Sequence, residues 1–178
     1  MTVPELLTAM AILGFVLTGV LGVFVSGLHA TTDLNERFQA QQNARLALTS
    51  MRKDVRTACQ ESVPAAGMSV TFTYCATDGT TSQVTWCVSS STSAAPYGLY
   101  RQTGGSCLWS TGVQKAGQLT TKAGTVTIFA RASVAVSGTR PQLTVTLPVD
   151  ANLSSSQTSN QGLYTLSDTM TLRNAAVQ

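Results

Sequence analysis

MTVPELLTAMAILGFVLTGVLGVFVSGLHA, residues 1–30, opens the chain with a single carboxylate, Glu5, at the head of an apolar run. From Leu6 to Leu28 no side chain is ionisable. At about 1.5 Å of rise per helical residue, a run of that length crosses a hydrocarbon layer about 30 Å thick. Half of the architecture follows from this stretch: a membrane-compatible helix to which a water-facing domain is attached. A cleaved signal peptide is a worse fit, because such a segment needs a basic start, a shorter apolar core and a small-residue cleavage site. A plain signal anchor is the simpler alternative, with Glu5 resting among lipid headgroups, where a carboxylate costs little.

Beyond Leu28 the character changes to that of a soluble amphipathic helix. TTDLNERFQAQQNARLALTSMRKDVRTACQ, residues 31–60, contains no Pro or Gly and begins with Thr31, Thr32 and Asp33, which look like a helix N-cap. Leu34, Phe38, Ala44, Leu48, Met51, Val55 and Cys59 recur at helical spacing and predict the face that holds a globular head. Asn35, Gln39, Gln42, Arg45, Arg52 and Arg56 are left for solvent or for neighbouring subunits. A continuous helix from Thr2 to Gln60 would be on the order of 90 Å long. The expected organisation is an apolar helix over 1–28, its amphipathic continuation over 29–60 and a β-rich head over 61–178.

The head begins after Val63, Pro64 and Gly67, where periodicity switches to two. VTFTYCATDGTTSQVTWCV, residues 70–88, reads as a hairpin. Placing Val70 opposite Val88, Phe72 opposite Trp86 and Tyr74 opposite Val84 matches one apolar face around an Asp78-Gly79-Thr80 turn. In that register Cys75 and Cys87 stand about four residues apart along the strands, too far for a disulfide whose Cα atoms must lie within about 7 Å. Two connectivities remain open. The preferred one joins Cys59 to Cys75, tying helix to sheet, and Cys87 to Cys107, closing a loop around Tyr97, Leu99 and Tyr100 in which Gly104 and Gly105 turn the chain back. Further strands are expected in TVTIFARASVAV (125–136), QLTVTLPV (142–149) and YTLSDTMTLRN (164–174), around a core containing Phe72, Trp86 and Ile128. The Ser- and Thr-rich stretches Ser89–Pro96 and Ala151–Gln161 read as solvent-facing loops, and Asn152-Leu153-Ser154 fits a glycosylation triplet.

Composition narrows the function classes. The 178 residues carry a net charge of +3 with the basic side chains scattered, so no basic block argues for a nucleic-acid partner; Arg52, Lys53 and Arg56 read as a solvated face near a helix C-terminus. All four cysteines lie beyond the apolar segment and none forms a CxxC pair, which suits an oxidising exterior with two disulfides and no metal. The single histidine, His29, has no carboxylate or nucleophile placed beside it, and Asp78, Asp150 and Asp168 are isolated along the chain. No phosphate-binding loop or nucleotide fingerprint occurs. A non-enzyme without a cofactor is expected.

The letters MTVPELLTAMAILG resemble the mature N-terminus of the type IV pilin and pseudopilin family: Thr2, Pro4, Glu5 and Leu6 stand in phase with the start of an uninterrupted apolar helix. QQNARLALTSMRKDVR (41–56), YGLYRQTGGSC (97–107) and the closing TMTLRN (169–174) are similar to stretches of minor pilins and J-type pseudopilins. The resemblance implies an α+β pilin fold, a long N-terminal helix packed on an antiparallel sheet. It also implies that the chain is the processed form of a precursor, with Met1 N-methylated where the usual first residue is Phe. Glu5 would pair with the N-terminal amine of a neighbouring subunit, with Met1 and Thr2 at the same junction, so that charge supplies the register that sliding apolar helices lack. Gly14, Gly19 and Gly22 would weaken the middle of the segment, each by about 1 kcal/mol relative to Ala, or let helices approach closely; many members of the family carry Pro at position 22.

The implied function is that of a structural subunit of an extracellular filament, a pilus or a pseudopilus. Its partners would be copies of itself or other pilins, a prepilin peptidase and inner-membrane assembly machinery, with membrane insertion before assembly and a cell-surface location afterwards. The alternative is a low-copy tip or minor pilin acting as an adhesin or as a module that binds DNA or another partner.

Overall fold

The computed structural model of the chain describes residues 3–89, 97–107, 110–119, 127–132, 140–150 and 163–175. Helix α1 runs from Val3 to Thr57. Pro4 sits in its first turn, where the missing N–H has no intrahelical partner to lose, and the next proline is Pro64, so nothing in between breaks the ladder. Contacts divide the chain into two units, Met1–Glu36 and Arg37–Gln178.

In the first unit the helix is bare. Its large apolar side chains between Val3 and Leu28 are exposed by 48% to 83%. The few hydroxyls fold back on the backbone: Thr8 donates to the Glu5 carbonyl at 2.9 Å and Thr18 to the Gly14 carbonyl at 2.8 Å. The cap expected at Thr31, Thr32 and Asp33 does not form. Both threonine hydroxyls instead donate to the Leu28 carbonyl, at 2.9 and 2.6 Å, and the helix continues through them. A threonine hydroxyl satisfied by a carbonyl one turn back has no need to stop a helix.

The second unit joins the rest of α1 to eight strands: β1 Gln60–Ser62, β2 Ser69–Cys75, β3 Thr81–Ser89, β4 Tyr97–Thr103, β5 Val113–Leu119, β6 Phe129–Ala132, β7 Gln142–Asp150 and β8 Leu163–Thr171. They form one curled antiparallel sheet in the order β1-β2-β3-β4-β5-β7-β6, with β8 on the other edge of β7. This α+β arrangement, a long N-terminal helix packed on an antiparallel sheet with disulfides, matches the description of the pilin fold.

The helix face on the sheet begins later than the periodicity implies. Ala40, Ala44, Ala47, Leu48, Met51 and Val55 are buried, but Leu34 and Phe38 are 63% and 59% exposed. Spacing identifies side chains that share a face; it does not say where along the helix the sheet starts. The core they enter includes Phe72, Trp86 and Ile128, all fully buried.

The β2–β3 hairpin is displaced by two residues from the expected register. Val70 pairs with Trp86, Phe72 with Val84 and Tyr74 with Ser82. A shift of two preserves every side chain's face, so matching apolar letters could not distinguish the two registers. The turn decides: Ala76 and Thr80 close it, the Gly79 N–H donates to the Ala76 carbonyl with Gly79 at φ +83, and Asp78 accepts from the Thr80 N–H and hydroxyl.

Tyr97–Thr103, a segment not expected as a strand, pairs on both edges inside the loop that the Cys87–Cys107 disulfide closes. Gly98 hides its pattern, and the Tyr100 ring lies against it, so that an added Cβ would meet the ring at 2.7 Å and make it shift. The curl of the sheet brings β6 against the β1–β2 connection, where the Gly67 carbonyl accepts from the Phe129 N–H at 2.8 Å. Of the expected strand 125–136, only 127–132 falls within the described residues; the loops Ser89–Pro96 and Ala151–Gln161 lie almost wholly outside them, as does Asn152.

Two disulfides join Cys59 to Cys75 and Cys87 to Cys107, with Cα separations of 5.9 and 6.1 Å, and no cysteine is free. In the observed register Cys87 lies opposite Ser69, at the far end of β2 from Cys75. Alkylation of the native protein without reduction should therefore add no mass, and peptide mapping should recover these two pairs and no Cys75–Cys87 link.

Candidate functional site

Of the residues expected to act in assembly, Met1 and Thr2 lie outside the described residues, and Glu5 stands in the first turn of α1. Gly14, Gly19 and Gly22 lie within unbroken helix, and a Cβ added at any of them meets no atom within 4 Å. Their smallness is not demanded by packing within the chain. By length and composition, α1 can cross a membrane, with a mean hydropathy of 2.3 over its most apolar window and none of that window buried.

The polar centre of the head was not singled out by sequence reasoning. Asp54 projects from α1 into the sheet at 7% exposure. Its Oδ2 accepts from the Trp86 indole N–H at 2.8 Å and from Arg101 Nε at 2.8 Å, while Arg101 Nη2 reaches Oδ1 at 3.2 Å. One carboxylate thus links the helix to β3 and β4. Tyr74 lies beside the pair, its hydroxyl buried without a hydrogen-bond partner, and its phenol is pushed up to about 12, chiefly by burial and secondly by the Asp54 charge. Donating to the Asp54 carboxylate holds the Arg101 guanidinium all the more firmly protonated. A signal for this centre does exist in the sequence: Asp54 falls on the same stripe as Met51, Val55 and Ala58, and a carboxylate on the core side of a helix demands a buried donor.

Ion pairs at Arg52 and Glu61 also fasten the unit. Arg52 Nε donates to Asp168 Oδ2 at 2.7 Å, so Arg52 is not directed wholly to solvent and Asp168 is not isolated. Glu61 on β1 meets Arg131 on β6 at 3.2 Å, with the carboxylate side chain 1% exposed and neither oxygen hydrogen-bonded. Burial raises the Glu61 carboxyl above its ordinary range, and Arg131 offsets this only in part. Among the described residues no three His, Cys, Asp or Glu side chains gather to hold a metal ion, and His29 lies exposed on α1. What these groups do chemically is fix helix and strands to one another.

Comparison with protein families, with curated proteins and with solved structures finds no match to this chain.

Removing the Asp54 carboxylate by Asp54→Ala leaves Arg101 and the Trp86 N–H without their acceptor. The loss should be about 3 kcal/mol, at the lower end for a broken buried pair because Arg101 retains some contact with water. Denaturant unfolding of the variant measures it. Glu61 should behave oppositely. Its raised carboxyl binds a proton more tightly in the folded than in the unfolded state, so stability falls as pH rises through the window above about 4.5. Glu61→Gln should raise the melting temperature at neutral pH, and the gap to wild type should close as the pH is lowered through that window.

Proposed function

We propose that the chain is a structural subunit of an extracellular type IV pilus or pseudopilus, polymerising through its apolar N-terminal helix, with Glu5 setting the register against the N-terminal amine of a neighbouring copy. The bare helix carries this reading. Fifteen large apolar side chains from Val3 to Leu28 are exposed by 48% to 83%. At about 1.5–3 kcal/mol each, leaving them in water forgoes tens of kcal/mol, more than the 5–15 kcal/mol that holds a typical domain folded. Lipid covers such a surface before assembly, and apolar helices of other copies cover it in a filament.

Glu5 is the one ionisable side chain between residues 3 and 28, which suits it to fix an offset that uniform apolar surfaces leave open. The open surroundings of Gly14, Gly19 and Gly22 fit the same picture, since small residues let another helix come close. The two disulfides suit a head displayed in an oxidising exterior.

Glu5→Gln keeps the size and shape of the side chain and removes its charge. Expressed in its native cell, the variant should insert in the membrane with its head folded, yet yield few or no filaments after shearing and electron microscopy. Wild-type filament yield from Glu5→Gln would overturn the register role of this carboxylate.

A further inference from the structure

The last turns of α1 and the strand β8 enclose a cleft that the filament reading leaves unused. Helical spacing of four brings Arg52 and Arg56 to one side of it, strand spacing of two brings Thr169 and Thr171 to the other, and Arg173 joins them from just past the end of β8. With Val55 and Met170 at its base, the cleft has a volume of about 170 Å³. Arg52 is already paired with Asp168 at 2.7 Å. Neither Arg56 nor Arg173 has a carboxylate within ion-pair distance among the described residues. The neighbouring groove on α1, lined in part by Arg52 and Arg56, adds Lys53. Three arginines line the cleft, one of them paired with Asp168, and Lys53 lines the groove beside it.

Arg56, in the last turn of α1, is favoured there by the helix dipole but has no carboxylate partner among the described residues, and Arg173 has none either, so an anion in the cleft would add a partner to both. Guanidinium forks match the oxygens of phosphates and carboxylates, and threonine hydroxyls add donors that rotate to suit. Cations converging from both walls favour a ligand with more than one negative charge over a single carboxylate. We propose that the cleft between α1 and β8 is a binding site for a phosphate monoester dianion, gripped by Arg56 and Arg173 with Arg52 and the Thr171 hydroxyl at its margin. A soluble phosphate ester and the terminal phosphate of a headgroup present the same chemistry. The phosphodiesters of DNA carry one charge each and are the competing polyanion.

The test uses the full chain in a neutral detergent, titrated calorimetrically with inorganic phosphate, with glycerol 1-phosphate as the headgroup-like ester, and with a short single-stranded DNA, at ionic strength held constant with chloride. Wild type should bind both phosphates. Arg56→Gln and Arg173→Gln should each weaken binding about tenfold, and the double variant should abolish it. Arg45→Gln, an exposed arginine elsewhere on α1, should leave it unchanged. Both cleft arginines are exposed, so the variants should keep the wild-type melting temperature without ligand, which separates a lost site from a lost fold. Tighter binding of glycerol 1-phosphate than of inorganic phosphate would support an ester as the ligand, and binding of inorganic phosphate with no response to the ester would overturn the monoester site. No response to either phosphate, binding that survives in the double variant, or binding of DNA alone would overturn it.

Discussion

The carboxylate of Asp54 is the constraint on which the head is arranged. It is buried where a helix carbon chain would ordinarily lie, and an ionised carboxylate there is tolerable only with strong donors aimed at it. Trp86 and Arg101 supply them from two adjacent strands. An apolar interface between helix and sheet would admit several rotational settings of α1 at similar energy. A two-strand hydrogen-bonded grip on one helical residue admits far fewer, and it places Ala40, Ala44, Ala47, Leu48, Met51 and Val55 against the sheet.

Other links extend the same fastening to the rest of the unit. Arg52 with Asp168 ties the next helical residue to β8, and the Cys59–Cys75 disulfide holds the chain directly after the helix to β2. The Glu61–Arg131 pair and the Gly67–Phe129 backbone bond join the first part of the sheet to β6. These are contacts between segments far apart in sequence, and they leave the exposed apolar residues of the first unit with no part in holding the head together. A division results: a head stabilised by its own contacts and a helix whose large apolar side chains from Val3 to Leu28 stay exposed.

How much of this was legible beforehand depended on whether the relevant signal was local. The apolar run, the absence of proline between Pro4 and Pro64 and the alternation in β2, β3, β7 and β8 are properties of neighbouring letters, and the helix and those strands follow from them. β4 and β5 escaped because Gly98 and the polar run Val113–Leu119 mask alternation, and because their burial comes from partners on both edges. The exposed Leu34 and Phe38 show the reverse failure, apolar letters at the right spacing with no sheet beside them in the head.

By itself the sequence determined that this chain has an apolar helix headed by one carboxylate, an amphipathic continuation and a disulfide-bonded β head, because each of these is written in periodicity, charge and cysteine placement. Only the tertiary structure decided the hairpin register, since a displacement of two residues leaves every face unchanged and the turn hydrogen bonds break the tie. It alone also revealed the Asp54–Arg101 centre and the cleft lined by Arg52, Arg56 and Arg173. Partners 47 residues apart in the chain, as Asp54 and Arg101 are, become neighbours only when helix and sheet close on each other, and no local pattern records that closure.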